Sequence, residues 1–177
     1  MLRHGRMALA ASFIALAVAL GFLLSAVPNV ELLTLTVFLA GGVLGSGLGA
    51  GVGATAALLF SLLNPLGPPP LPLLLVGQLL GMALAGAVGG LTVPRLAALP
   101  VTGRMLLCAG LGFVVTLAYD VLTNLGVAIH LGPIRPTLIG GLAFAAVHMV
   151  SNTVVFGVLG PGALRVLDEL GQLSRER

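Results

Sequence analysis

Two groups of polar residues, each with members three and four positions apart, are the clearest sign of chemistry in this sequence. They are Asp120, Thr123 and Asn124 in one apolar segment, and His148, Ser151 and Asn152 in the next. Residues at this spacing share one face of a helix. Burying an unpaired polar group costs free energy, so polar residues within apolar segments are functional candidates. We predict that each segment carries one polar face and that the two faces meet.

Asp120 and His148 are the residues of these faces that could exchange a proton. If the two segments form an antiparallel pair that turns near residues 132–134, positions 120 and 148 lie almost equally far from the turn, and we expect a contact between them. Such a contact favours the charged forms of both groups, whereas burial opposes them. The alternative is a buried hydrogen bond that only fixes the helical hairpin.

Further polar residues are expected at the same end of the molecule. Asn29 and Glu31 follow the first apolar run, Asn64 opens a segment with five prolines that ends at Pro72, and Gln78 lies about two helical turns beyond it. We predict a pocket facing outward, with these substrate-binding residues: Asn29, Glu31, Asn64, Gln78, Tyr119, Asp120, Asn124, His148 and Asn152. The proline segment is either a preshaped rim or a rigid connector. Gln78 alternatively makes a helix-end hydrogen bond, and Glu31 alternatively stabilises a helix N-terminus.

No arrangement of residues typical of an enzyme is present. The sequence has no P-loop, no His-x-x-x-His pair and no serine in a nucleophile elbow, and Cys108 is the single cysteine. We therefore predict no catalytic residue, no metal ligand and no cofactor.

Composition places the chain in a membrane. Of its 177 residues, 58% are hydrophobic and 7% are charged, and no charge interrupts residues 32–94. Soluble domains have about a quarter of their residues charged, so a soluble catalytic domain is excluded. The net charge of +3 comes from only eight scattered basic residues, which argues against a nucleic-acid partner.

The basic residues predict the topology, because cytoplasmic segments carry an excess of arginine and lysine. Arg3 and Arg6 precede the first apolar run, and Arg95 and Arg104 flank the next basic loop. Both ends of this stretch are cytoplasmic only if an even number of spans separates them. We predict an all-α bundle of six transmembrane helices, with both termini cytoplasmic: 7–27, two short spans in 32–63, 73–92, 105–129 and 136–159. Residues 1–164 form the membrane domain and 165–177 a short cytoplasmic tail.

Small residues recur at four-residue intervals. Gly41, Gly45, Gly49, Gly53 and Ala57 form one series, and the pairs Gly77/Gly81 and Gly86/Gly90 repeat its spacing. Small residues at this spacing let membrane helices approach closely. We expect a compact bundle, either permanently packed or with an interface that moves.

Together, these segments resemble the substrate-binding S component of energy-coupling factor (ECF) transporters. The resemblance is carried by residues 28–32, the small-residue hairpin through Gly53, residues 64–70, the Tyr119-Asp120-x-x-Thr123-Asn124 segment and His148-x-x-Ser151-Asn152. It implies capture of a vitamin or related micronutrient from outside the plasma membrane. It also implies docking on a transmembrane coupling subunit that carries two ATPases, so that ATP is hydrolysed only in partner subunits. Family members often dock through Ala-x-x-x-Ala on the first helix, a spacing that Ala11, Ala15 and Ala19 match.

Two other functions fit the sequence. A self-contained secondary transporter would relay protons through Asp120 and His148 and would need no ATPase. A membrane assembly subunit that transports nothing would use its glycine faces to bind neighbouring proteins.

Overall fold

The computed structural model describes residues 3–64, 67–96 and 98–173. These residues form six α-helices and no strand. The helices are α1 (Arg3–Leu23), α2 (Leu33–Leu44), α3 (Ser46–Leu62), α4 (Pro72–Leu96), α5 (Val101–Leu131) and α6 (Ile134–Glu169). The predicted class, an all-helical membrane bundle, is confirmed at this level. Pro65 and Leu66 of the proline segment, and Arg175, Glu176 and Arg177 of the predicted tail, lie outside the described residues.

Four of these helices, α1, α4, α5 and α6, are long and apolar enough to cross a membrane. The other two are shorter. At about 1.5 Å per residue, the 12 residues of α2 extend about 18 Å and the 17 residues of α3 about 26 Å, whereas the hydrocarbon core of a bilayer is about 30 Å thick. The apolar block 32–63 is divided into two helices, as expected from the even number of spans that the basic residues require.

Gly45 is the single residue between α2 and α3. Its φ of 87° lies in the left-handed region, which glycine adopts without the steric cost that other residues bear. The predicted glycine series therefore crosses a helix boundary. Gly45 forms the turn, whereas Gly41 and Gly49 on either side of it pack against neighbouring helices.

Helix α2 lies at the centre of the bundle. It contacts α1, α3, α4 and α6, and ten of its twelve residues are buried. Phe38 on α2 meets Phe156 on α6 edge to face, with ring centroids 5.3 Å apart. Because its neighbours surround it, α2 needs no polar face.

Glycines bring the backbones of α2, α3 and α4 into direct contact. A Cβ atom on Gly41 of α2 would overlap the carbonyl oxygen of Gly86 on α4, and a Cβ on Gly86 would overlap the carbonyl oxygen of Gly49 on α3. A Cβ on Gly53 would overlap the carbonyl oxygen of Met82. The close helix approach predicted from the spacing is confirmed at these positions.

Successive helices run in alternating directions, which gives the bundle two distinct ends. At one end Arg6 of α1 donates a hydrogen bond to the carbonyl oxygen of Leu44, 2.5 Å away, at the C-terminus of α2. Arg95, Arg104 and Arg165 belong to this same end, which we call the basic end. The opposite end holds the α1–α2 loop (residues 24–32), the described residues of the α3–α4 loop (63–64 and 67–71) and Arg135, and we call it the cavity end.

The helix boundaries differ from those of the predicted spans, and two of the differences bear on the predicted loops and tail. Helix α1 ends at Leu23, not at residue 27, because tight turns replace helical bonds there: the Val27 amide donates to the Leu24 carbonyl at 2.8 Å. Helix α6 continues through Pro161 and residue 164 to Glu169 without a break. Leu173, within the predicted tail, is buried against the core. The division into a membrane domain and a cytoplasmic tail stays a prediction.

Candidate functional site

The polar faces of α5 and α6 meet at the cavity end, as predicted. The Nδ1 atom of His148 lies 2.9 Å from Oδ1 of Asp120, and both residues are buried. The Tyr119 ring packs edge to face against the His148 imidazole, with centroids 5.6 Å apart. The contact expected from the equal distances of positions 120 and 148 from the turn is confirmed.

Glu31 brings a second carboxylate to the same histidine. Its Oε1 atom lies 3.7 Å from His148 Nε2, so the imidazole stands between two acidic side chains. Burial raises the pKa of Glu31, but interactions with His148 and hydrogen bonds with Thr34 outweigh it and hold the pKa below its ordinary value. Glu31 is therefore ionised at neutral pH.

Both carboxylate oxygens of Glu31 have protein partners. The Thr34 amide, in the first turn of α2, donates to Oε2 at 2.7 Å, and the Asn152 side-chain amide donates to Oε1 at 3.0 Å. A carboxylate that accepts a first-turn amide stabilises a helix N-terminus. The two interpretations of Glu31 are thus compatible, since the residue caps α2 and also faces the polar cluster.

A cavity of about 780 Å³ opens beside this cluster. Small-molecule sites typically occupy about 300–1,000 Å³, so the cavity has room for a vitamin-sized ligand. Eight of the nine predicted binding residues line it: Asn29, Glu31, Asn64, Gln78, Tyr119, Asp120, Asn124 and His148. Their direct role in binding stays a prediction, but the structure brings them to one place from two loops and three helices that are far apart in sequence.

Asn152 is the predicted residue that the structure places elsewhere. It is fully buried and is absent from the cavity lining. Its side-chain amide donates to Glu31 and also to the Thr116 hydroxyl, 3.0 Å away. Asn152 therefore contributes to the cavity without lining it, because its side-chain amide positions the Glu31 carboxylate by a hydrogen bond.

The α1–α2 loop forms much of the cavity wall, whereas the proline segment, expected to be either a preshaped rim or a rigid connector, contributes little to it among its described residues. Residues 25–31 line the cavity, whereas among the described residues of the α3–α4 loop only Asn64 does so. Asn29 ties the loop to α6 twice: its side-chain amide donates to the Phe144 carbonyl at 3.2 Å, and its own carbonyl accepts from the Ser151 hydroxyl at 2.5 Å. The φ of 60° at Asn29 is one that asparagine tolerates better than most residues.

Two site residues were missed at the sequence level. Ser61 lines the cavity and donates a hydrogen bond to Oε1 of Gln78 at 3.0 Å. Thr116 is fully buried beneath Asn152. The signal was present in both cases, because Ser61 precedes Asn64 by three positions and Thr116 precedes Asp120 by four, which continues each polar face by one helical turn.

Two buried polar atoms in the described part of the chain have no hydrogen-bond partner: Oδ2 of Asp120 and Oδ1 of Asn152. Most buried polar groups in folded proteins are paired, so each exception needs an explanation. Asp120 is a lining residue of the cavity, and its second oxygen is a buried, unpaired acceptor beside the cavity.

Asn124 supports the same region. Its side-chain amide donates to the backbone carbonyl of Asp120 at 2.8 Å, and its Oδ1 atom occupies the space beside Gly141 on α6, where a Cβ would collide with it. Asn124 thus joins the cavity wall to the contact between α5 and α6.

The predicted docking residues lie on a different face. Ala11, Ala15 and Ala19 are exposed along α1, whereas Ala10 and Ala17 of the same helix are buried against the core. The alanine face is therefore separate from the residues that hold α1 in the bundle. Its use by a partner stays a prediction.

Over residues 3–64, 67–96 and 98–173, no group of three His, Cys, Asp or Glu side chains is arranged to hold a metal ion. Cys108 is buried outside the cavity lining.

No family model, no curated protein and no solved structure matches the chain. The ECF resemblance therefore stays a prediction from the residues. Functional conclusions depend on the cavity and on the side chains that line it.

Proposed function

We propose that this chain is a membrane-embedded substrate-capture subunit, similar to an ECF S component, that binds a vitamin or related micronutrient. The observation that carries the proposal is the cavity of about 780 Å³ at the cavity end, lined by polar side chains within an otherwise apolar bundle. In a membrane protein such groups are costly unless they serve a ligand, an ion or a structural contact.

The position of the cavity relative to charge supports the direction of capture. The cavity opens at the end opposite Arg6, Arg95, Arg104 and Arg165. If the basic end is cytoplasmic, as the positive-inside rule favours, the cavity faces outward across the plasma membrane. The chain then crosses the bilayer six times, with α2 and α3 as two short crossings joined at Gly45, and both termini are cytoplasmic.

Impermeant thiol labelling tests this topology. Single cysteines introduced by Gly67→Cys and Gly103→Cys, in a Cys108→Ala background, should be accessible from opposite sides of the membrane. In intact cells the impermeant reagent should label Gly67→Cys and leave Gly103→Cys unlabelled. The first lies in the loop at the cavity end, and the second lies near the start of α5 at the basic end. Labelling of both from outside would contradict the six-crossing arrangement.

Energy for uptake would come from partner subunits. No nucleotide-binding motif occurs in the sequence, so accumulation against a gradient needs an ion gradient or a separate ATPase. We propose that Ala11, Ala15 and Ala19 dock on a transmembrane coupling subunit that carries two ATPases. What supports this is their exposure on one face of α1, since small side chains let a partner helix approach closely in lipid.

Native mass spectrometry of the gently purified full chain tests capture. We expect a bound small molecule in the mass range of a vitamin, released on collisional activation. Thermal unfolding would show that the protein is folded. Repeated failure to find a bound molecule in such folded protein would favour the assembly-subunit alternative.

A second candidate is a proton-coupled secondary transporter, which the cluster of Glu31, Asp120 and His148 favours. Buried titratable groups within membrane segments often form proton relays. The two functions differ in their energy source. Uptake by cells that express this chain without any coupling complex, abolished by a proton uncoupler, would support the secondary transporter and contradict the capture subunit.

A further inference from the structure

We propose that the cavity selects a ligand with a cationic head group rich in N–H donors, such as an amidinium or a protonated amino-heterocycle, and that Asp120 receives it. This inference rests on the proposed function, because it names the substrate class of the same cavity.

The first observation is the charge of the cavity wall. Its titratable side chains are the carboxylates of Glu31 and Asp120, the imidazole of His148 and the phenol of Tyr119, and none of the described lining residues is Lys or Arg. Two carboxyl groups face one imidazole, so acidic groups outnumber basic ones on the wall. An anionic ligand would be repelled, and a cation would be attracted, in a site where low polarity strengthens both effects.

The second observation is that the two acids differ in their hydrogen-bond partners. Glu31 is engaged by Thr34 and Asn152, whereas Asp120 uses only Oδ1, toward His148. Its Oδ2 atom has no partner, although the residue is only 7% exposed. Leaving a buried acceptor unpaired is energetically costly. A ligand N–H group that reaches Oδ2 would satisfy it, and hydrogen bonds to charged acceptors are roughly twice as strong as neutral ones.

The remainder of the wall suits the body of such a ligand. Phe60, Met82 and Leu74 provide apolar contact surface, while the amides of Gln78 and Asn64 offer both donors and acceptors. The cavity therefore combines an acidic position with an apolar wall. This arrangement fits a planar or partly apolar molecule whose charge lies at one end.

Three probes of nearly equal shape separate charge from fit: benzamidine is a cation, benzamide is neutral and benzoate is an anion. Binding to the purified full chain, freed of co-purified molecules, would be measured by ligand-observed NMR. We expect benzamidine to bind at least tenfold more tightly than benzamide, a difference of about 1.4 kcal/mol, and benzoate to bind most weakly.

Variants assign the preference to Asp120. Asp120→Asn keeps the shape of the side chain but removes its charge, and should reduce the benzamidine preference to less than about threefold. Gln78→Glu adds a carboxylate at another point of the wall and should increase the preference, which keeps the test decisive if Asp120→Asn does not fold. Cys108→Ala, outside the cavity, should leave the preference unchanged.

Three results would overturn the inference: no binding of benzamidine at millimolar concentration, equal affinity for the three probes, or an undiminished preference in folded Asp120→Asn protein. Failure of the proposed function is distinguishable. If the molecule found by native mass spectrometry is an anion, capture is supported and the cationic preference is wrong. If no molecule co-purifies and cells show no uptake, but the benzamidine preference depends on Asp120, the cationic site is supported and the transport role is wrong.

Discussion

The two ends of the bundle fill the space between helices in opposite ways. Toward the basic end, Gly41, Gly49 and Gly86 remove side-chain volume so that α2, α3 and α4 touch through their backbones. At the cavity end, larger polar side chains and the α1–α2 loop surround an open volume of about 780 Å³. The difference indicates a division of roles, in which a closely packed half supports the half that is built to admit a ligand.

The largest expected effect comes from adding one methyl group to the packed half. Gly41→Ala should destabilise the protein by about 3 kcal/mol or more, near the upper end of overpacking costs, because the new Cβ meets the backbone oxygen of Gly86. Thermal unfolding in detergent and size-exclusion chromatography would measure the loss.

Gly51→Ala is the matched control. Gly51 lies on α3 with nothing near the position of its Cβ, and alanine in a helix interior is more favourable than glycine by about 0.5–1 kcal/mol. We expect a neutral or slightly stabilised protein. Equal effects of the two substitutions would show that the glycine contacts do not hold the packed half together.

Substitutions at the cavity end should reduce affinity more than stability. Asp120→Ala and Asn124→Ala should each weaken binding of the co-purified ligand by about 1–3 kcal/mol, since each removes a polar partner from a desolvated site. Isothermal titration calorimetry on protein stripped of ligand would measure this change, with Cys108→Ala as the control.

Two outcomes would argue against that role for the polar side chains. Unchanged affinity in folded variants would place the site elsewhere. If the variants instead give no folded protein to titrate, Asp120 and Asn124 serve mainly to join α5 to α6. That is the alternative interpretation of the Asp120–His148 contact.

The smallest effect on affinity is expected at the alanine face of α1. Ala15→Trp should leave ligand binding in detergent unchanged but abolish uptake and co-purification with an ATPase-bearing complex, because bulk on this exposed face blocks close helix approach. Leu106→Trp is the control, since Leu106 is 70% exposed and lies on α5, whereas α1 packs mainly on α2 and α3. If Ala15→Trp abolishes ligand binding in folded protein, docking face and cavity are not separate.

Some long-range contacts of this molecule follow from the sequence, including the convergence of eight predicted residues on the cavity, while others do not. The Asp120–His148 pair could be predicted because one helical hairpin fixes both positions relative to a single turn. The approach of Glu31 to His148 joins residues far apart in the sequence, and no periodicity encodes which loop packs on which helix. The continuation of α6 through Pro161 was also missed, because proline breaks helices in water but is tolerated in membrane helices whose neighbours satisfy the freed backbone groups.

Protection of a cavity-lining position by ligand tests the central claim, that the cavity is the capture site, most directly. Ser25 lines the cavity and is exposed, whereas Leu131 is exposed at the same end outside it. The Ser25→Cys and Leu131→Cys variants, each in a Cys108→Ala background, would be labelled with a maleimide with and without the ligand identified by native mass spectrometry. At about nine times the Kd, ligand should slow labelling of Ser25→Cys about tenfold and leave Leu131→Cys unchanged. Equal labelling rates with and without ligand in both variants, under conditions where calorimetry shows saturation, would contradict the claim.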